Sequence, residues 1–287
     1  MLNKILHIAK THRRRLIGTF SLVALENILF LLYPLVGSFA VNAVIAGQLL
    51  QALSYGLMVL LVWSIGSARR AVDTRAFVKI YADLVVPLII NQRTTDSTST
   101  TTARVALSRQ FVNFFEHYLP VFLMAFFSII GSVVMLLIIE FWSGVTAATL
   151  LIIFILLLPR YSKANDRLYL KLNNRLEKEV DVIERINARE LFRHYDFVSN
   201  LRIRISNREA VSYLVIGVAM SVLFSVTFTL FITKGYGNAG HIYAVITYLW
   251  NFAMSIDDIP KLMEQYSELK DIGKRINIGE NEQNDKV

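Results

Sequence analysis

Glu26 and Asn27 have the strongest claim to chemistry in this chain, because they interrupt an apolar run from Leu16 to Val41. Counted from the start of that run they lie about ten residues in, or roughly 15 Å of helix, near the middle of a hydrocarbon layer roughly 30 Å thick. A carboxylate at that depth is costly and must face the protein interior or a water-filled cavity. Two uses fit it: a protonatable or substrate-contacting group, or a neutral, hydrogen-bonded helix contact. Tyr33 on the same run, with Tyr248, Trp250 and Asn251 on the run Ile242 to Ile256, are the other candidates for lining such a cavity. Each of these also suits helix packing or an interfacial anchor.

Other chemistry finds no constellation to support it. The chain has no cysteine, which removes disulfides, thiolate nucleophiles and thiolate metal sites. Its five histidines are scattered, with no HExxH and no GxSxG. A GxxxxGK[ST] phosphate loop is also missing: the sole Gly-Lys, Gly273-Lys274, has no glycine five residues before it and is followed by Arg275. The expectation is no catalytic residue, no metal, no cofactor and no ATP hydrolysis by the P-loop route, and so not an enzyme.

The elements that position Glu26 follow from composition and charge. With 54% hydrophobic and 18% charged residues and a mean hydropathy of +0.47 over 287 residues, the chain reads as an integral membrane protein. Six apolar runs stand out, about Leu16 to Val41, Leu53 to Ala68, Leu119 to Ile139, Val145 to Leu158, Ala210 to Ile232 and Ile242 to Ile256. Few glycines and prolines, and no ten-residue alternation, favour helices over a barrel. Of the 30 Lys and Arg, all but Lys234 fall in four groups, up to Arg15, Arg69 to Arg109, Arg160 to Arg208 and beyond Pro260. Six crossings with a cytoplasmic N-terminus put all four groups on the cytoplasmic side, as the positive-inside rule requires. Basicity therefore reads as topology and attraction to membrane lipid, and no nucleic-acid partner is expected.

Two of these basic groups form long polar segments. Arg160 to Glu209 contains no Gly or Pro and carries Leu168, Leu172, Leu176, Val180 and Ile183, then Leu191, Phe192, Val198, Leu201 and Ile205, at helical spacing. A tight reversal near Asn187 to Asp196 would make it a helical hairpin whose arms project roughly 30 to 35 Å. The segment Arg69 to His117 repeats the plan, with a polar tip at Asp96 to Ala103 flanked by Arg93 and Arg104. Residues 1–15 fit an amphipathic helix lying at the interface, better than a secretory signal. Short turns join the runs at Ala43 to Ala52, Glu140 to Trp142 and Lys234 to His241, and residues 277–287 read as a disordered tail.

Six spans, short outer turns and two long inner hairpins resemble the transmembrane domain of ABC exporters of the type IV fold, over Leu16 to Ile276. The stretch Pro34 to Asn42 is similar to the Pro, Gly and terminal Asp/Asn pattern ending that family's first helix. Glu179 to Phe197 looks like its second intracellular loop, and Ile259-Pro260-Lys261-Leu262 with Tyr266 to Lys270 and Lys274-Arg275-Ile276 looks like the exit of helix six. In a full exporter half an ATPase domain would follow, whereas 11 residues remain after Ile276. The expectation is a stand-alone domain lacking the nucleotide-binding domain.

What the resemblance implies is an all-α integral membrane protein: a six-helix domain at 16–276 with cytoplasmic hairpins at about 69–117 and 160–209, paired as a domain-swapped homodimer. It implies a bacterial inner (plasma) membrane transporter, multi-pass with both termini cytoplasmic, moving a small-molecule or peptide substrate by alternating access. The drive would come from a separate ATPase subunit docked near Arg93, Asp96 and Arg104 and near Asn187, Arg189 and Glu190, or from protons carried by Glu26. The alternative is a non-transporting adaptor on the same scaffold.

Overall fold

A computed structural model describes residues 13–92, 114–176, 179–184, 187–235, 238–260 and 262–263. Among them the chain is helical and holds no strand. The elements are α1 (Arg13–Ile45), α2 (Leu49–Gln92), a π-helical turn (Phe114–Tyr118), α3 (Leu119–Ile139), α4 (Phe141–Leu176), α5 (Glu179–Glu184), α6 (Ala188–Lys234) and α7 (Ala239–Asp257). Five helices, α1, α2, α3, α4 and α6, are long and apolar enough to cross a membrane. The sixth expected run forms α7, 19 residues interrupted by Tyr, Thr, Asn and His, and it is not among those five. Arg13 to Arg15, assigned from sequence to the interfacial segment, form the first turn of α1, and residues 1–12 lie outside the described residues.

Apolar runs and charged arms prove to be single helices. No break falls at Pro159 inside α4, and α6 runs for 47 residues, roughly 70 Å at 1.5 Å per residue. Gly235 ends it in the left-handed conformation, φ 69°, with its N–H bonded to Phe231 O. Along α1, α2, α3, α4 and α6, large apolar side chains such as Leu50, Trp63, Ile138, Leu156 and Ile232 are exposed. Lipid is the solvent in which such a surface is stable.

The described chain divides into two compact units, one holding residues up to Met135 together with those from Tyr236 onward, the other Leu136–Gly235. In the first, α1 packs on α2 and on α7, whose Val245, Tyr248, Leu249 and Phe252 are wholly buried. Ser255 Oγ on α7 lies 2.8 Å from Ser128 Oγ on α3.

The second unit is the antiparallel pair α4 and α6. Thr227 Oγ1 donates to Ser143 Oγ at 2.9 Å. Arg208 donates to Tyr161 O at 3.1 Å and lies over that residue's ring, 4.1 Å from its centroid. Leu172, Val198, Leu201 and Ile205 form a small core flanked by Leu168, Tyr169 and Leu176. At the opposite end Lys234 Nζ meets Glu140 Oε1 at 2.7 Å, and the Glu140 side chain is fully buried. Lys234→Met removes this ion pair from a buried acid, at an expected cost of about 2 to 3 kcal/mol. Thermal unfolding of the purified protein in detergent measures it, and an unchanged midpoint would show the pair to be idle.

The reversal of this hairpin comes earlier in the chain than the sequence suggested. Helix α4 ends at Leu176, α5 occupies Glu179–Glu184 and α6 is under way at Ala188, so Ala188 to Asp196 is helix and not turn. Asn187 is the N-cap, its side chain accepting from Arg189 N at 3.0 Å. Glu190, three residues on, adds an acid to the first turn. This pairing is a start signal for a helix, and it outweighs the polarity that made the stretch resemble a turn.

Candidate functional site

Helices α1 and α2 form an antiparallel hairpin whose turn lies at Ala46 to Gln48, with Gly47 at φ 70°. Glu26 stands nineteen residues before Ile45 and Arg69 twenty after Leu49, each roughly 30 Å of helix from the turn. The hairpin thereby brings them to one level. Arg69 Nε donates to Glu26 Oε2, and Arg69 Nη1 donates to Asp73 Oδ2 at 3.0 Å. All three groups are enclosed, with side-chain exposures of 17% for Arg69, 10% for Glu26 and 5% for Asp73. A hydrocarbon layer beginning at the turn would end near this level, so counting from the turn moves Glu26 from the middle of the layer to its far boundary.

Around this ion cluster the polar atoms are not all satisfied. Asp73 Oδ1 and Thr19 Oγ1 are buried and without a hydrogen-bond partner, although Thr19 bears on the Asp73 carboxylate. Asn27, next to Glu26, turns its amide back to its own helix, Nδ2 donating to Val23 O at 2.7 Å. It contributes a helix contact and leaves the cluster to its neighbours.

The other candidates gather where α7 meets α1. Tyr33 packs its ring on Tyr55 of α2, centroids 4.9 Å apart, and Tyr55 shares a hydrogen bond with Tyr243 of α7, the oxygens 3.1 Å apart. Tyr248 is fully buried, and its hydroxyl donates to Leu31 O in the turn before Pro34. Pro34 has no N–H to offer the carbonyl four residues back, and the next carbonyl, that of Leu31, takes the tyrosine. Tyr248→Phe is expected to cost about 1 kcal/mol of stability, read as a lower unfolding midpoint with the helical circular dichroism unchanged. Trp250 is 55% exposed and Asn251 half-buried, one helical step from this packing.

The structure thus joins Glu26 to Arg69 and Asp73, and Tyr33 to Tyr55 and Tyr243, and it does not gather all six candidates into one site. Sequence reasoning missed Arg69, Asp73, Thr19, Tyr55 and Tyr243. A signal existed: Arg69 and Asp73 have i,i+4 spacing, and counting outward from the Gly47 turn levels them with Glu26. Of the residues expected at an ATPase contact, Asn187, Arg189 and Glu190 are exposed at the start of α6. Arg93, Asp96 and Arg104 lie outside the described residues. Near that start Phe192 is 79% exposed, with Ile183 at 49% and Phe197 at 48%. Tyr195 donates to Glu179 Oε1 at 2.8 Å, tying α6 to α5.

Long apolar helices with polar arms continuous with them define a polytopic membrane domain. The chain belongs to the family described as ABC transporter transmembrane region, which it matches over residues 5–240. A comparison with curated proteins finds no match.

Proposed function

We propose that this protein is the permease part of a transporter, moving a small or amphipathic solute such as a peptide, metallophore or drug-like molecule by alternating access. Six crossings, α7 being the sixth, and a homodimer with exchanged helices would build the pathway in a bacterial inner membrane, with both termini in the cytoplasm. The family assignment supports membrane transport. The continuity of α4 and α6 from the Glu140 and Lys234 pair to the arms supports a lever, because a helix without a break carries a displacement at its tip into the membrane.

The single observation that carries the choice of drive is the apolar surface at the arm's end. Phe192, Ile183 and Phe197 are exposed within a short stretch of chain that also carries the exposed Arg189 and Glu190, in a segment whose charge places it in water. Exposed apolar groups with a charged rim mark a protein contact, which favours a separate ATPase subunit docked there over a motor made of protons alone. Affinity purification from the native membrane tests it. An ATPase retained by the wild type and lost with Phe192→Asp supports the docked motor. Uptake of a fluorescent cationic peptide into ATP-free vesicles under a proton gradient supports the other drive. If no ATPase is held and no solute moves under either condition, the transport reading fails and an adaptor on this scaffold replaces it.

A further inference from the structure

We infer that Asp73 and Thr19 form a binding site for a single positive charge, a proton or a sodium ion, held between α1 and α2 beside the Glu26 and Arg69 ion pair. The inference deepens the transport reading by naming an ion for the cycle to couple to, and it rests on that reading for this use alone.

Three observations carry it. Two carboxylates, Glu26 and Asp73, share one guanidinium, that of Arg69, so among the described side chains the enclosed group is one positive charge short of neutral. Asp73 is 4% exposed and Glu26 8%, and a buried charge without a partner is strongly disfavoured. The missing charge also has a place to go. Asp73 Oδ1 and Thr19 Oγ1 are both buried and unpartnered, with Thr19 at 0% exposure. A threonine inside a helix commonly donates to the carbonyl four residues back, and Thr19 does not use that outlet; its hydroxyl lies close enough to the Asp73 carboxylate to interact with it, while the two oxygens do not meet in hydrogen-bond geometry. Glu26 is taken up by Arg69, so the acid with an oxygen to spare is Asp73.

The proton form balances simply. Asp73 Oδ1 takes a proton from hydronium and releases water, the new O–H donates to Thr19 Oγ1, and Oδ2 keeps its bond from Arg69. Sodium would instead sit between the same two oxygens and complete its shell with water. The charged groups bearing on Asp73 are Arg69 from its own helix and Glu26 from α1. The π-helical turn, which packs on α2, carries Glu116 and His117, and neither acts on Asp73.

Infrared difference spectroscopy on the full-length protein in lipid nanodiscs, titrated with acid and base in N-methylglucamine chloride and again in sodium chloride, reads the site directly. The expected result is a carboxylic-acid carbonyl band that persists as the pH is raised past the range where an exposed aspartate has lost its own. It should disappear in Asp73→Asn and shift in frequency in Thr19→Val. Glu26→Gln should move its loss to lower pH, because that change removes the uncompensated charge. Displacement of the band by sodium assigns both ions to the site, and insensitivity to sodium assigns the proton alone. A band unaffected by Asp73→Asn, or no band together with no sodium-dependent carboxylate change, overturns the inference. Carbon-13 labelling of aspartate in the wild type identifies the acid as aspartate without any substitution, so a variant that fails to fold does not stop the test. A protein that shows the band and moves no solute keeps the site and loses the transport function.

Discussion

Arg69→Leu is expected to destabilise the folded protein by about 3 to 5 kcal/mol, the cost of leaving buried acids without their cation. Arg69 is the cation joined to both Glu26 and Asp73, and its loss exposes two carboxylates to an interior that cannot solvate them. Adding Glu26→Gln to Arg69→Leu should recover part of the loss, since one acid then remains. Glu26→Gln alone should cost much less, because Arg69 keeps Asp73. A double-substitution cycle on unfolding midpoints measures the coupling. Strict additivity of Arg69→Leu and Glu26→Gln would mean that the two side chains do not interact in the membrane.

Gly240→Ala should be nearly as damaging, on the order of 3 kcal/mol, at the upper end of overpacking costs. A Cβ at Gly240 would stand 2.3 Å from Ser38 O and 2.5 Å from Asn42 Nδ2. The first of these is backbone and cannot swing aside. The same glycine donates its N–H to Asn42 Oδ1 at 2.9 Å, so the added methyl would also pull apart the bond that seats α7 on α1. Gly66→Ala is the contrasting case. Its Cβ would come within 2.9 Å of Glu26 Oε1, the far end of a flexible side chain, and a small shift relieves it. Chymotrypsin susceptibility of the α7 segment, which carries Tyr243, Tyr248, Trp250 and Phe252, compared between the two variants, reads the difference. Equal protection in both would show that the contact between α7 and α1 is looser than it stands here.

Much of the frame was legible in the sequence because membrane helices obey few rules. The apolar run Leu119 to Ile139 coincides with α3 to the residue. The runs at Val145 to Leu158 and Ala210 to Ile232 fall inside α4 and α6, since without an effective helix breaker the period simply continues. The motif from Pro34 to Asn42 was visible as text, and its physical use was not. Gly37 leaves room for the Tyr243 ring, which a Cβ would meet at 2.3 Å, and Asn42 receives Gly240. Both are contacts with a helix two hundred residues away, which no local pattern encodes.

Glu26 shows the same limit from the other side. Its oddity in an apolar run was plain, yet its depth was counted from the end of the run and not from the Gly47 turn, and Arg69 looked like the first residue of a solvated arm. A buried ion pair depends on which helices lie side by side, and hydropathy along one strand of text does not carry that. The tyrosines of α2 and α7 were hidden for the same reason.

The central claim is that the arms and the membrane helices move as one lever between two arrangements of a pair of chains. With no native cysteine, a spin label at Ile232→Cys, an exposed site near the end of α6, reports one position per copy. Electron double-resonance distances between the two labels in nanodiscs are the most direct measurement. Two distance populations are expected, with a balance that shifts when protons or an ATPase partner with ATP are supplied. A single distance that no condition alters, or no dipolar signal between copies at all, would contradict the claim.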